Sequence, residues 1–242
     1  MNNIQEMDKM WNGKMKALTF SYDDGVTQDR RLIEIFNRYG LKATFNLNSC
    51  LLGKSGELEF GEKRISHNKL RADEVKEAYR GHEVAAHTLT HVMLTLQDDA
   101  EVVRQVGEDE KNLESITGGE VVGMAYPCSG ASYDDRTARL IGENTGIRYA
   151  RTNKSNFSFD LQKNLLLFAP TVHHTDFEKM FELGERFLNA EPDKPQLFYI
   201  WGHSYEFDVD DSWDLFENFC KKISGHSDIF YGTNRETLLD RE

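Results

Sequence analysis

Two short segments, Ser21-Tyr22-Asp23-Asp24-Gly25 and His87-Thr88-Leu89-Thr90-His91, concentrate the groups in this chain that could do chemistry. They bring two carboxylates and two imidazoles, each segment just after a short apolar run. Three such side chains can hold a divalent ion and leave one carboxylate free to move protons. That is the minimum apparatus for splitting an amide or ester with metal-activated water. His87 and His91 are four residues apart, so on one helical turn they share a face and reach one ion. Alone, each pattern is common: paired histidines occur on surface helices, and Asp-Asp-Gly is ordinary turn chemistry. Asp23 and Asp24, however, follow the apolar run Leu18-Thr19-Phe20. Adjacent side chains at a strand end point different ways, so one can bind the ion while its neighbour faces substrate.

Other candidates follow other strand-like runs. His203 lies in Trp201-Gly202-His203-Ser204-Tyr205-Glu206-Phe207, where the preceding strand and a flexible glycine suit a strand-end catalytic acid. Arg151, in Tyr149-Ala150-Arg151-Thr152, can orient a carboxylate through its fork of donors. Tyr126, His174 and Trp201 are expected to line the substrate pocket. His67, His82 and His226 read as surface or structural residues. Glu101, Glu108, Asp109, Glu110 and Glu114 read as the solvated side of a helix. The chain has no GxSxG, which excludes the nucleophile elbow of the serine hydrolases.

The elements that must position these groups alternate along the whole chain. Lys16 to Tyr22, Lys42 to Leu47, Glu83 to Ala86, Val121 to Ala125, Ile147 to Ala150, Leu197 to Trp201 and Ile229 to Tyr231 are strand-like. Between them, Asp29 to Tyr39, Asp73 to Arg80, Asp98 to Thr117, Tyr133 to Asn144, Asp176 to Leu188 and Asp214 to Ile223 have helical spacing, with Gly40, Gly81 and Gly118 as stops. Such alternation implies an α/β fold with a mostly parallel sheet. Asp23, Asp24, His87, Tyr126, Arg151, His173 and His203 each sit at the C-terminal end of a strand. Those ends converge in a (β/α) barrel and lie far apart in an open sheet, so the barrel is favoured. Asp24-Gly25-Val26 lacks the further glycines of a dinucleotide fingerprint.

The 242 residues suit a single barrel-sized domain spanning 1–242, with no linker-like stretch between halves. The formal charge of −12 argues against a nucleic-acid or anionic-membrane partner and favours solubility. Cys50, Cys128 and Cys220 are odd in number and far apart, which disfavours a disulfide framework or a cysteine-based zinc site. The first 16 residues lack the apolar core of a signal peptide, and no run suits a membrane span, so the expectation is a cytoplasmic enzyme.

With these residues in hand, the chain resembles the polysaccharide deacetylases of the NodB-homology type, carbohydrate esterase family four, from about Leu18 to Phe207. Ser21-Tyr22-Asp23-Asp24-Gly25 stands where that family has T-F-D-D-G, and His87-Thr88-Leu89-Thr90-His91 completes its H-[ST]-x-x-H. The resemblance implies a distorted (β/α) barrel with fewer than eight regular units. It implies Asp23 as general base, Asp24, His87 and His91 as ligands of a divalent ion, most simply Zn²⁺ with Co²⁺ or Ni²⁺ acceptable, and His203 as general acid. The family's R-x-P-[YF] motif is Ala125-Tyr126-Pro127-Cys128 here, without its arginine. Arg151 is expected to replace it by reaching Asp23. The implied activity is metal-dependent removal of an N-acyl group, acetyl above all, from an amino sugar, oligosaccharide or polysaccharide. The alternatives are a small non-polymeric N-acyl substrate, as for an amidohydrolase or deformylase, and a sugar-binding protein on a degenerate deacetylase scaffold.

Overall fold

A computed structural model of the chain describes residues 10–239, so the polar opening segment lies largely outside the described residues. Among the described residues ten strands form in chain order: β1 (Lys16–Asp23), β2 (Ala43–Leu47), β3 (Glu57–Phe60), β4 (Lys63–Ser66), β5 (Glu83–Ala86), β6 (Gly123–Ala125), β7 (Tyr149–Arg151), β8 (Val172–His173), β9 (Gln196–Gly202) and β10 (Ile229–Tyr231). Eight of them make one parallel sheet in the order β7-β6-β5-β2-β1-β9-β8, with β10 also on β1. Every residue of β1 and of β2 is buried, as expected of central parallel strands covered on both faces.

The sheet curls into a distorted (β/α) barrel. Its two edges approach through one stretch of chain: Phe168 bridges to Arg151 of β7, and Val172 pairs with Ile200 of β9. Helices cover the outside. Helix α1 (Asp29–Arg38) buries Leu32, Ile33, Ile35 and Phe36, and its Phe36 ring lies 4.7 Å from that of Phe20 on β1. The packing of such aromatic pairs and their burial is the main stabilising term. Helix α2 (Ala72–Ala78) precedes β5. Helix α3 (Asp99–Thr117) starts where the Asp98 carboxylate accepts from the Glu101 N–H, and ends on Gly118 in the left-handed region. Helices α4 (Asp135–Asn144), α5 (Phe177–Leu188), α6 (Glu206–Asp210), α7 (Trp213–Ile223) and α8 (Asn234–Leu238) follow. No helix among the described residues is long and apolar enough to cross a membrane.

The apolar periods of the sequence locate the main strands and helices within a few residues, but they mark no element between residues 48 and 72. There the antiparallel hairpin β3–β4 leaves the barrel. It returns by stitching residues 67–70 along the β1–α1 turn, with the Thr27 N–H donating to Asn68 O and the Leu70 N–H to Gly25 O.

Candidate active site

The C-terminal end of β1 delivers the two carboxylates differently. Asp23 is the last strand residue and stays in register with Asn46 of β2, whereas Asp24 turns into the left-handed region at φ 85°. Both are buried, at 2% and 6% exposure. Asp23 Oδ1 accepts from Asn46 Nδ2 at 2.8 Å, and its Oδ2 receives the Arg151 guanidinium. Burial alone would raise this carboxyl, but the charges of Arg151, His87 and His203 hold it below the usual carboxylate range. Arg151 is fully buried, donates from Nε to Ser21 Oγ at 3.2 Å, and lies 4.3 Å over the Trp201 ring. Its place on β7 thus brings it across the barrel mouth to the β1 carboxylate.

The histidine segment departs from the helical turn expected from its spacing. His87-Thr88-Leu89-Thr90-His91 is a loop with Thr88 and His91 at positive φ, 67° and 58°. Such angles are uncommon for non-glycine residues, and local hydrogen bonds hold the segment in place. Asn48 Nδ2 donates to the Thr88 carbonyl at 2.9 Å, the Leu89 N–H donates to Gln105 O, and Gln105 also pairs with Thr90. The His87 N–H donates to Asp109 Oδ2 at 2.9 Å. Asp109 is fully buried and Glu110 nearly so, accepting from the Gly146 N–H. This corrects their reading as a solvated helix side: α3 turns that face inward to clamp the loop.

The loop brings the two imidazoles together, ring centroids 5.0 Å apart. His87 Nδ1 faces the Ala125 carbonyl at 2.8 Å, which assigns its proton there and leaves the Nε2 lone pair free. Burial pushes this imidazole down to about 4, and it also lowers His91. One carboxylate oxygen of Asp24 and one nitrogen each of His87 and His91 lie within 4.8 Å of one another. The same Asp24 has two more partners: Lys69 Nζ at 3.2 Å on Oδ1, and His67 Nε2 at 3.1 Å on Oδ2. His67 therefore reaches the site instead of resting as a detached surface residue.

On the far side of Asp23 stands His203, its Nε2 3.9 Å from Asp23 Oδ2, the same distance as His87 Nε2. Glu206, three residues on at the start of α6, puts Oε2 3.2 Å from His203 Nδ1 and accepts the His203 N–H at 2.9 Å. Burial disfavours the imidazolium, yet Glu206 first, then Asp23 and Asp24, push His203 up to about 9. Reciprocally, burial notwithstanding, His203 and His174 hold Glu206 far below the carboxylate range. His174 itself is fully buried behind Glu206, 2.9 Å from Oε2, with Nδ1 3.0 Å from the Tyr22 hydroxyl. The expectation that it lines the substrate pocket is corrected: it stands one layer back. Glu206 follows His203 at His-x-x-Glu spacing, a weak signal by itself; Lys69 leaves none, because it lies on the arm after the exposed β3–β4 hairpin, which no apolar period marks.

A cavity of about 320 Å³ opens over Asp23, Asp24, His87, His91 and His203, walled by Tyr126, Trp201 and Tyr205. A depression of about 760 Å³ between Tyr79, Glu83, Gly118 and Arg235 lies at the opposite strand ends and holds none of these groups.

The model of the polysaccharide deacetylase family matches residues 11–150. No curated protein matches the chain. Among solved structures, peptidoglycan deacetylase PdaC from Bacillus subtilis is 16% identical over 92% of this chain and 90% of that one, with a TM-score of 0.52. The polysaccharide deacetylase Bc1974 from Bacillus cereus is 15% identical over 92% and 94%, with a TM-score of 0.54. BA3943 from Bacillus anthracis, described as a family 4 carbohydrate esterase pseudoenzyme, is 16% identical over 92% of this chain and 65% of that one, at 0.51. At these identities the likeness is one of fold.

Proposed function

The chain belongs to the polysaccharide deacetylase family, and from that premise we propose that it is a hydrolase removing an N-acyl group, acetyl above all, from an amino sugar or a related N-acyl compound. The observation that carries the reading is Asp23, gripped by Arg151 and Asn46 between an Asp24–His87–His91 donor set on one side and His203 on the other. The donor set fits a divalent ion: two neutral imidazoles, one with a free lone pair fixed by its Ala125 contact, and one carboxylate. Zinc is the expected ion, with cobalt or nickel acceptable. When bound, such an ion supplies Lewis acidity to an acyl carbonyl and to water.

The chain's own residues do the rest. Asp23, kept ionised and oriented by the guanidinium, takes the proton of the attacking water. As the C–N bond breaks, the leaving nitrogen needs a proton, because an amide anion is a very poor leaving group. His203, held protonated by Glu206, supplies it. The products are a carboxylate and a free amine. Tyr126 and Trp201 wall the cavity and hold the substrate ring. About 320 Å³ is near the lower end of ligand sites, which suits one sugar-sized unit at a time.

The test is acetate or formate release from a panel of N-acyl sugars and oligosaccharides with added Zn²⁺, Co²⁺ or Ni²⁺. Release with at least one metal, abolished by a chelator, is expected. Sugar binding without release under any metal would replace this reading by that of a sugar-binding protein.

A further inference from the structure

Lys69 has no place in the chemistry above, yet its ammonium lies 3.2 Å from Asp24 Oδ1, the oxygen that faces His91 Nε2 at 3.7 Å. The side chain is only 5% exposed, so this is an internal contact and not a surface ion pair. Its backbone is fixed: the Lys69 N–H donates to Lys54 O, the residue bridges to Val26, and the Leu70 N–H donates to Gly25 O, one residue after Asp24. Nζ also lies 3.5 Å from His67 Nε2, which occupies the other Asp24 oxygen. The arm that returns from the β3–β4 hairpin thus places one fixed positive charge against the carboxylate of the proposed ion site.

A carboxylate's hold on a proton and on a metal ion both depend on its electron density and on the local potential. An ammonium at contact distance lowers both, and in a buried setting it is weakly screened. Its benefit is to the empty site, where an unpaired buried carboxylate is costly. We propose that Lys69 is a positioning residue that competes for Asp24, stabilising the ion-free site and holding down its affinity for divalent ions. The inference rests on the reading of Asp24, His87 and His91 as one ion site.

The experiment measures the Zn²⁺ dissociation constant by competition with a chromophoric chelator, for the wild type, Lys69→Met, Lys69→Gln, Lys69→Arg and His87→Ala. Lys69→Met and Lys69→Gln are expected to bind Zn²⁺ at least about tenfold more tightly, Lys69→Arg to stay near the wild type, and Zn²⁺ to raise the melting temperature of the neutral variants more than that of the wild type. Lys69→Gln keeps a polar group at the position should Lys69→Met fail to fold. Adding His87→Ala to the tighter variant should abolish the gain. Unchanged or weaker binding in both neutral variants, with wild-type binding still lost in His87→Ala, overturns the role of Lys69 alone. Wild-type affinity that survives His87→Ala, or no binding by any of the proteins, overturns the ion site itself.

Discussion

Glu206 faces three imidazoles, and its consequence is largest for His203, whose Nδ1 it approaches at 3.2 Å. A histidine raised to about 9 in the folded state, against an ordinary value of about 6.5, stays protonated where a free imidazole does not. The rate should therefore be bell-shaped in pH, its basic limb above the ordinary imidazole range. Glu206→Gln should bring that limb down by about a unit or more, with little loss of turnover at neutrality and a loss approaching roughly tenfold above about pH 9, read from a pH–rate profile of acyl release. Stability follows the same sign. A raised histidine adds stability that is fully present below about pH 6.5 and is lost as pH rises through about 9. The gap in urea midpoints between wild type and Glu206→Gln should accordingly shrink between those limits. An unchanged basic limb would remove His203 as the acid. Arg151 was readable from its strand-end position, because an arginine directly after a buried strand needs a carboxylate partner. Glu206 was not, because nothing in the sequence says that residues 203 to 206 turn back on themselves.

Among the elements, the loop from His87 to His91 depends on α3 more than on its own sequence. Asp109, fully buried, accepts from the backbone N–H groups of His87 and Ser49, so one carboxylate joins β5, the Asn48 turn and the helix. Asp109→Ala removes the acceptor of the half-buried Ser49 N–H and leaves the His87 N–H with only its Leu47 carbonyl. It should destabilise the fold by roughly 1–3 kcal/mol and weaken Zn²⁺ binding, although Asp109 touches no proposed ligand side chain. Chemical denaturation and chelator competition read the two effects; full stability and affinity would show that the loop is held otherwise. Strand and helix periods were legible in the sequence because β1, β2 and α1 bury continuous apolar faces. The β3–β4 hairpin was not: most of its residues are exposed, so no apolar period marks it. The acidic face of α3 misled for the complementary reason, since Asp109 spends its charge on backbone donors that a sequence does not reveal.

At the scale of the molecule, a curled parallel sheet turns five separate stretches of chain into one pocket. Strand β1 runs through its centre, between β2 and β9, and ends in Asp23. From there Asp23 stands equally near His87, delivered after β5, and His203, delivered after β9, while Arg151 reaches it from the sheet edge at β7. An open, flat sheet would leave β7 and β9 with four strands between them; the curl makes one carboxylate the meeting point of His87, His203 and the Arg151 guanidinium. The proposed hydrolysis requires that carboxylate to act as the base. The direct measurement is acetate release by wild type and Asp23→Asn at matched metal content, verified by elemental analysis. Asp23→Asn should hold the same one ion per chain and release acetate at least about 10²-fold more slowly. Equal rates at equal metal content would contradict the account.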